Sequence, residues 1–376
     1  MKKILYIGGF ELPDKNAAAQ RVMANAKLLR EMGFDISFIG ISKDIKNAPR
    51  VVNGFASNPV QYPTNTKEWK HQIFTFVERK KIFEQHPDYV VLYNFPAVAS
   101  LRILRACHKH GIKVIHDLTE WESSNGWSPS DIVRKIDINL RMYYCVKKMD
   151  GVIAISRYLY DYYKEDTHAI LVPPTVDLRD SKFKRERGLI SSLNLTKLVY
   201  AGSAGHGAEK DRLDFIIKEV NKVHNVQLDI VGQTEEEFRE SFGNNIEIND
   251  NINFHGRVSH KEAIRFVCDA DFQMLIRQDT LKNRAGFPTK LVESFSCCTP
   301  VIATVFSNIC DYIIDGENGL LVTEEHPLED VINKVVNMPV GEKVKMKEAC
   351  RSFIGFDYRS YKESLQNCLS DEPTEL

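Results

Sequence analysis

The chain has 376 residues, 43% hydrophobic and 27% charged, with a formal net charge of -1. That length predicts two domains with substantial cores, and the near-neutral balance sets nucleic acid aside as an obvious partner. The average conceals a split: residues 1–176 carry 25 Lys and Arg against 18 Asp and Glu, a formal +7, and residues 177–376 carry 25 against 33, a formal -8. A basic first half is compatible with an anionic lipid or acceptor, and equally with ordinary surface variation. Eight scattered cysteines without a C-x-x-C spacing suit a reducing cytosol better than a secreted disulfide framework.

The opening, Met1-Lys-Lys-Ile-Leu-Tyr-Ile7, reads as a first strand and not as a signal peptide. A loop through Pro13 and Asn16 follows, then a predicted helix over 17–32 with Val22, Ala26 and Leu29 near one face and Gly33 just past its end. Further strands are predicted at 34–39, 89–93, 113–116 and 151–155, with a helix around 97–109. Strands spaced by helices predict a largely parallel sheet covered on both faces. Between the last two strands, residues 132–148 place apolar side chains at 132, 136, 140, 143 and 146 and basic ones at 134, 135, 141, 147 and 148. A helix lying on an anionic membrane has this pattern, and so does one that covers the sheet of its own domain. No 18-residue apolar run predicts a membrane span.

Val172-Pro-Pro-Thr-Val176 interrupts the rhythm as a hinge. The alternation then restarts with strands at 198–201, 226–231, 252–254, 272–276 and 301–304 and a helix over 211–220. The whole predicts an α/β chain of two Rossmann-like domains facing each other across a cleft, with boundaries at 1–175 and 176–354 and a final segment, 355–376, returning to the first domain.

Three segments carry possible chemistry. His116-Asp117 ends a predicted strand and is followed by Thr119, Glu120, Trp121 and Glu122. Strand ends of such sheets line ligand crevices, so His116 suits a hydrogen bond to a sugar, Asp117 and Glu120 suit acceptor hydroxyls, and Trp121 suits stacking or a core position. Ala201-Gly-Ser-Ala-Gly-His-Gly207 joins a strand to a helix, with Lys210 near the helix start, where backbone and charge can meet a diphosphate. Its spacing is neither a dinucleotide fingerprint nor a Walker loop. Gly286-Phe-Pro-Thr-Lys-Leu-Val-Glu293 puts Pro288 at a helix start and Glu293 one turn beyond Thr289, so that free amides can receive phosphate and the carboxylate a sugar hydroxyl. No metal or other cofactor is expected.

Phe287-Pro-Thr-Lys-Leu-Val-Glu293 with Pro300-Val-Ile-Ala303, Asp315-Gly-Glu-Asn-Gly-Leu-Leu-Val322 and the opening strand–loop–helix together resemble the retaining GT-B glycosyltransferases, family 4-like, of bacterial surface-polysaccharide type. The resemblance covers nearly the whole chain. It implies a nucleotide-sugar donor, UDP- or GDP-linked, held mainly by the second domain. The Gly202 loop, Ser203 and Lys210 would approach the diphosphate, and Gly286, Phe287 and Pro288 would offer backbone groups to diphosphate and sugar. Glu293 would hold the ribose, His116 would lie near the transferred sugar, and Asn16 and Arg21 would border donor or acceptor. Phe356 to Tyr361 resembles the segment that crosses back.

Three departures stand out. Ala285 replaces the first of the family's paired glutamates, with Arg284 or Asp279 as nearby substitutes, Ala18-Ala19 stands where paired glycines are common, and Ser203 replaces a common arginine. The activity implied is transfer of a hexose, with retention, to a glycan or polyprenyl-diphosphate-linked acceptor at the cytoplasmic membrane face. The alternatives are a nucleotide-sugar-binding partner subunit that has lost transfer activity, or a nucleotide-sugar 2-epimerase.

Overall fold

The computed structural model describes residues 1–13, 16–121, 126–183, 195–202 and 211–369. The chain forms two compact units. The first comprises Met1–Val176, Ala285–Phe287 and the stretch from Asp357 onward; the second comprises Asp177–Arg284 and Pro288–Phe356.

In the first unit the strand Lys3–Gly8 lies between Asp35–Ile39 and Tyr89–Tyr93, paired in parallel with both. The sheet continues on one side through Lys113–Leu118, Gly151–Ala154 and Ala169–Leu171, and on the other through Phe55–Ser57 to Val51–Val52, which pairs antiparallel. Side chains alternate across a strand, and the opening strand uses both faces. Ile4 and Tyr6 enter one core with Val22, Ala26 and Leu29 of the helix Ala17–Glu31, while Leu5 and Ile7 enter another with Ala99, Ile103 and Cys107 of Ala97–His108. Fully burying each such aliphatic side chain stabilises by about 1.5–3 kcal/mol, which is why a run of four apolar residues specifies this central strand.

Asn16 starts the first helix by accepting the Ala19 N–H at 2.8 Å. Gly33, at φ +91°, ends it, with its N–H and that of Phe34 bonded back to Arg30 and Leu29 carbonyls. The last helix, Lys362–Leu369, adds Leu365, Cys368 and Leu369 to the first core, and Tyr89 Oη donates to the Leu369 carbonyl at 2.9 Å.

The second unit is a parallel sheet in the order Ile252–Phe254, Val226–Val231, Thr196–Ala201, Phe272–Leu275, Val301–Thr304, Gly319–Val322. Leu198, Tyr200, Leu228, Ile230, Phe272 and Met274 share a core with the helices Leu213–Val220 and Leu328–Asn337. The strand order reverses between Thr196–Ala201 and Phe272–Leu275, which pair directly through Leu198 and Phe272. Among the described residues no helix is long and apolar enough to cross a membrane.

Candidate functional site

At the strand-order reversal the carboxyl ends of Thr196–Ala201 and Phe272–Leu275 lie side by side, the usual ligand position in such folds. Gly202, at φ +127°, and Gly232, at φ +113°, keep backbone close there. A Cβ on Gly202 would come within 2.6 Å of Lys290 Cε, and one on Gly232 within 2.8 Å of the Gly202 backbone. Asp211 is turned inward just before the helix Leu213–Val220 and accepts from Tyr200 Oη at 2.7 Å. Its two oxygens also receive Arg277 Nε and Lys290 Nζ. Lys290 Nζ donates to Tyr200 Oη at 2.8 Å and sits 3.9 Å from that ring's centroid.

One carboxylate thus serves two cations. Burial alone would raise the Asp211 pKa, but Lys290 and Arg277 more than reverse this and hold it at about 2. Burial pushes Lys290 below the usual ammonium range, with Arg277 adding to the push while Asp211 and Glu293 oppose it. The cluster therefore carries a surplus positive charge in a poorly hydrated place, where an arriving anion is strongly favoured.

Lys290 and Glu293 share the helix Thr289–Ser296. Pro288, expected at its first position, lies one residue earlier as the cap, with extended backbone (ψ 110°) and its carbonyl accepting the Leu291 N–H. Proline has no side-chain acceptor, and no side chain caps this end, a feature that an anion site at a helix start shares. Glu293 pairs with His260 Nε2 at 3.0 Å. Arg284 and Asp279 pair with each other at 2.9 Å on the surface. Ala285, Gly286 and Phe287 belong to the first unit, where the Ala285 carbonyl accepts from Ser156 Oγ at 2.7 Å. Ser203, Lys210 and Glu122 lie outside the described residues.

Of the first-unit candidates, Arg21, His116, Asp117 and Trp121 are buried, Glu120 is half-buried and Asn16 is exposed. Arg21 donates Nε to Asp117 at 2.8 Å, with Nη2 in ion-pair contact at the same distance, and donates Nη1 to the Val172 and Pro173 carbonyls. Asp117 also accepts from Tyr6 Oη at 2.7 Å and Asn25 Nδ2 at 3.2 Å. Asn16 is the helix cap described above. Glu120 accepts from Asn94 Nδ2 at 3.2 Å. Trp121 is 4% exposed and meets Tyr143, Tyr158 and Tyr162 edge-on.

His116 is fully buried, and neither ring nitrogen has a well-formed hydrogen bond among the described residues. Burial, reinforced by Arg141, pushes its pKa from 6.5 down to about 3, so the ring is neutral at pH 7. Because the folded pKa is depressed, the unfolded chain takes up the proton first as pH falls. The stabilisation is therefore whole above pH 6.5 and is lost towards pH 3 at about 1.4 kcal/mol per pH unit. Urea unfolding of the wild type and of His116→Leu at pH 7, 6 and 5 is expected to show the steeper acid loss in the wild type. Parallel pH slopes would refute this account.

Residues 196–338 match a family of sequences described as glycosyl transferases group 1. Across known structures the chain superposes on sucrose-phosphate synthase from Thermosynechococcus elongatus with a TM-score of 0.72 at 15% identity, covering 98% of both chains. It superposes on Anabaena HepE in complex with UDP and glucose at 0.67 and 14%, covering 99% of this chain and 100% of that one. The lipopolysaccharide outer core galactosyltransferase WaaB gives 0.63 and 16%, covering 98% and 99%.

The fold is GT-B. A search of curated proteins finds no match.

Sequence reasoning missed Tyr200, Asp211 and Arg277, and passed over Lys290 inside the motif it quoted. The usable signal was position: Tyr200 and Arg277 flank the ends of the two strands at the reversal, and Lys290 lies in the first turn of the following helix. The sequence also contains one Asp-x-Asp spacing, Asp269-Ala270-Asp271. Its Asp271 is structural, accepting the Lys197 N–H at 2.8 Å with Lys347 Nζ 3.9 Å away. Among the described residues no group of three His, Cys, Asp or Glu is placed to hold a metal ion.

Proposed function

We propose that the protein transfers a hexose from a nucleoside-diphosphate sugar to a hydroxyl of a glycan or polyprenyl-diphosphate-linked acceptor, with the donor held by the second unit. The observation that carries this reading is the pair of cations, Arg277 and Lys290, sharing the single carboxylate Asp211 at the strand-order reversal. A diphosphate supplies the missing negative charge. The first-turn amides of the Thr289–Ser296 helix add donors of fixed direction, and Gly202 allows the phosphates to approach the backbone.

To Glu293, one turn on and paired with His260, we assign the ribose hydroxyls. Anabaena HepE, crystallised with UDP and with UDP-glucose, supports this choice of ligand class. In the reaction, the bond from the sugar's anomeric carbon to the β-phosphate oxygen breaks as the acceptor oxygen bonds to the same face. The acceptor's proton passes to the departing phosphate, and anomeric configuration is retained. Lys290, Arg277 and the helix amides stabilise the growing phosphate charge; we assign Lys210 the same role. His116, whose ring is fully buried, would act on the sugar's position only through its neighbours.

Thermal-shift titration with UDP-, GDP- and dTDP-sugars, followed by NMR of the product's anomeric coupling, tests the proposal. One nucleotide series is expected to raise the melting temperature and yield a retained glycoside. Absence of any shift would remove the donor assignment. Ala285, a methyl where a sugar-holding carboxylate is expected, favours a second reading: a donor-binding subunit without turnover. Tight binding with no product across a panel of hydroxyl acceptors would select it.

A further inference from the structure

We infer that the first unit docks on an anionic lipid surface through the outer face of the helix Pro129–Leu140 and the turns that follow it. Within that helix only Ile138 is buried. Trp127 is 88% exposed, Ile136 61% and Tyr143 56%, with Ile132, Val133 and Tyr144 exposed beside them. Single exposed hydrophobic residues are ordinary, but six grouped on one short segment mark a contact surface.

The geometry explains why they stay outside. The helix opens into a wider π-type turn at Arg141–Cys145, which resets the register so that Met142, Cys145 and Val146 face inward. Cys145 Sγ then reaches the Ala97 carbonyl at 3.5 Å, and Tyr163 Oη reaches the Met142 carbonyl at 2.7 Å. Tyr143 rests edge-on against buried Trp121, its ring centroid 5.3 Å away, so the patch is tied to the sheet. The sequence pattern left open whether this segment covers its own domain or meets a membrane. It does the first with one face and leaves an apolar second face uncovered.

Charge selects the occupant. Asp137 accepts the Ala97 N–H at 2.9 Å, and Asp131 is held in a capping box with Ser128. The segment's carboxylates are therefore engaged with the backbone, while exposed Arg134, Lys135 and Lys148 flank the apolar residues, Lys148 lying 5.7 Å from the Tyr144 ring centroid. Aliphatic residues with Trp and Tyr, rimmed by Lys and Arg, suit the boundary between acyl chains and anionic headgroups. A second copy meeting this patch about a two-fold axis would set like charges together.

The inference does not depend on the donor site, and nucleoside-diphosphate binding of each variant keeps the two readings separable. The test is flotation of the full chain with vesicles of phosphatidylcholine alone and of phosphatidylcholine with phosphatidylglycerol. Binding is expected with the anionic vesicles and should weaken with salt. The pair Ile132→Ser/Ile136→Ser is expected to lower partitioning about ten-fold. Lys135→Glu/Lys148→Glu is expected to lower it by at least about ten-fold and to flatten the salt dependence. Tryptophan emission should shift to the blue on anionic vesicles, and the shift should vanish in Trp127→Phe. All these positions are exposed, so unchanged melting temperatures will show that the variants fold. Failure to float with anionic vesicles, or flotation of both double variants like the wild type, overturns the inference. So does a dimer in solution that Ile136→Ser dissociates, since a second copy would then own the face.

Discussion

Replacing Lys290 by methionine is expected to weaken nucleoside-diphosphate binding about 10–100-fold, the loss of one charge-assisted hydrogen bond in a poorly hydrated site. If transfer proceeds as proposed, kcat/KM should fall further, on the order of 100–1,000-fold, because phosphate charge grows as the glycosidic bond breaks. The substitution removes one of two cations on Asp211 and leaves Arg277 and Tyr200 Oη in place, so that carboxylate is not stranded. Methionine also keeps an unbranched side chain of similar reach. Calorimetric titration of UDP and GDP into wild type and variant, with denaturant melts alongside, separates binding from folding. Wild-type affinity in a destabilised Lys290→Met protein would make Lys290 a strut between strand and helix, with no part in holding the donor.

Arg21→Met should act on stability instead. Asp117 is completely buried, and without the guanidinium its charge is left with the neutral donors Tyr6 and Asn25. Stranding a buried charge costs about 3–5 kcal/mol, lowering the melting temperature on the order of 10 °C for a unit of this size. Adding Asp117→Asn should recover part of that loss, because the two effects share one interaction. The sequence reading placed both residues beside the acceptor. A melting temperature within the error of wild type, with a raised acceptor KM, would favour that role over the structural one argued from the geometry.

Much of the architecture was legible from local periodicity. Ile4–Ile7 and Tyr89–Tyr93 are short apolar runs bounded by turns, and each is a buried strand; Val226–Val231 alternates apolar residues with Gln227 and Asp229 and is a strand as expected. The helix after Pro288 was expected too, one residue early. Weaker signals were passed over: Ala169–Leu171 is three residues long, and Val51–Val52 and Phe55–Ser57 form a small edge hairpin with little pattern of their own. The 132–148 segment was ambiguous in principle, since an apolar stripe reads alike whether protein or lipid covers it. A wider turn at Arg141–Cys145, invisible to a fixed helical period, decides which residues turn inward.

The sequence by itself determined the alternation of strands and helices, the glycine at the first strand end of the second unit, and the helix that carries Lys290 and Glu293. These follow from side-chain spacing and backbone freedom, properties of neighbouring residues. Only the tertiary structure decided that Asp211 meets Arg277, 66 positions away, and Lys290, 79 away. It also decided that Arg21 finds Asp117 across 96. The physical reason is strand order: placing Phe272–Leu275 beside Thr196–Ala201 brings their carboxyl ends together, and burial then fixes which charges can exist there and with which partners.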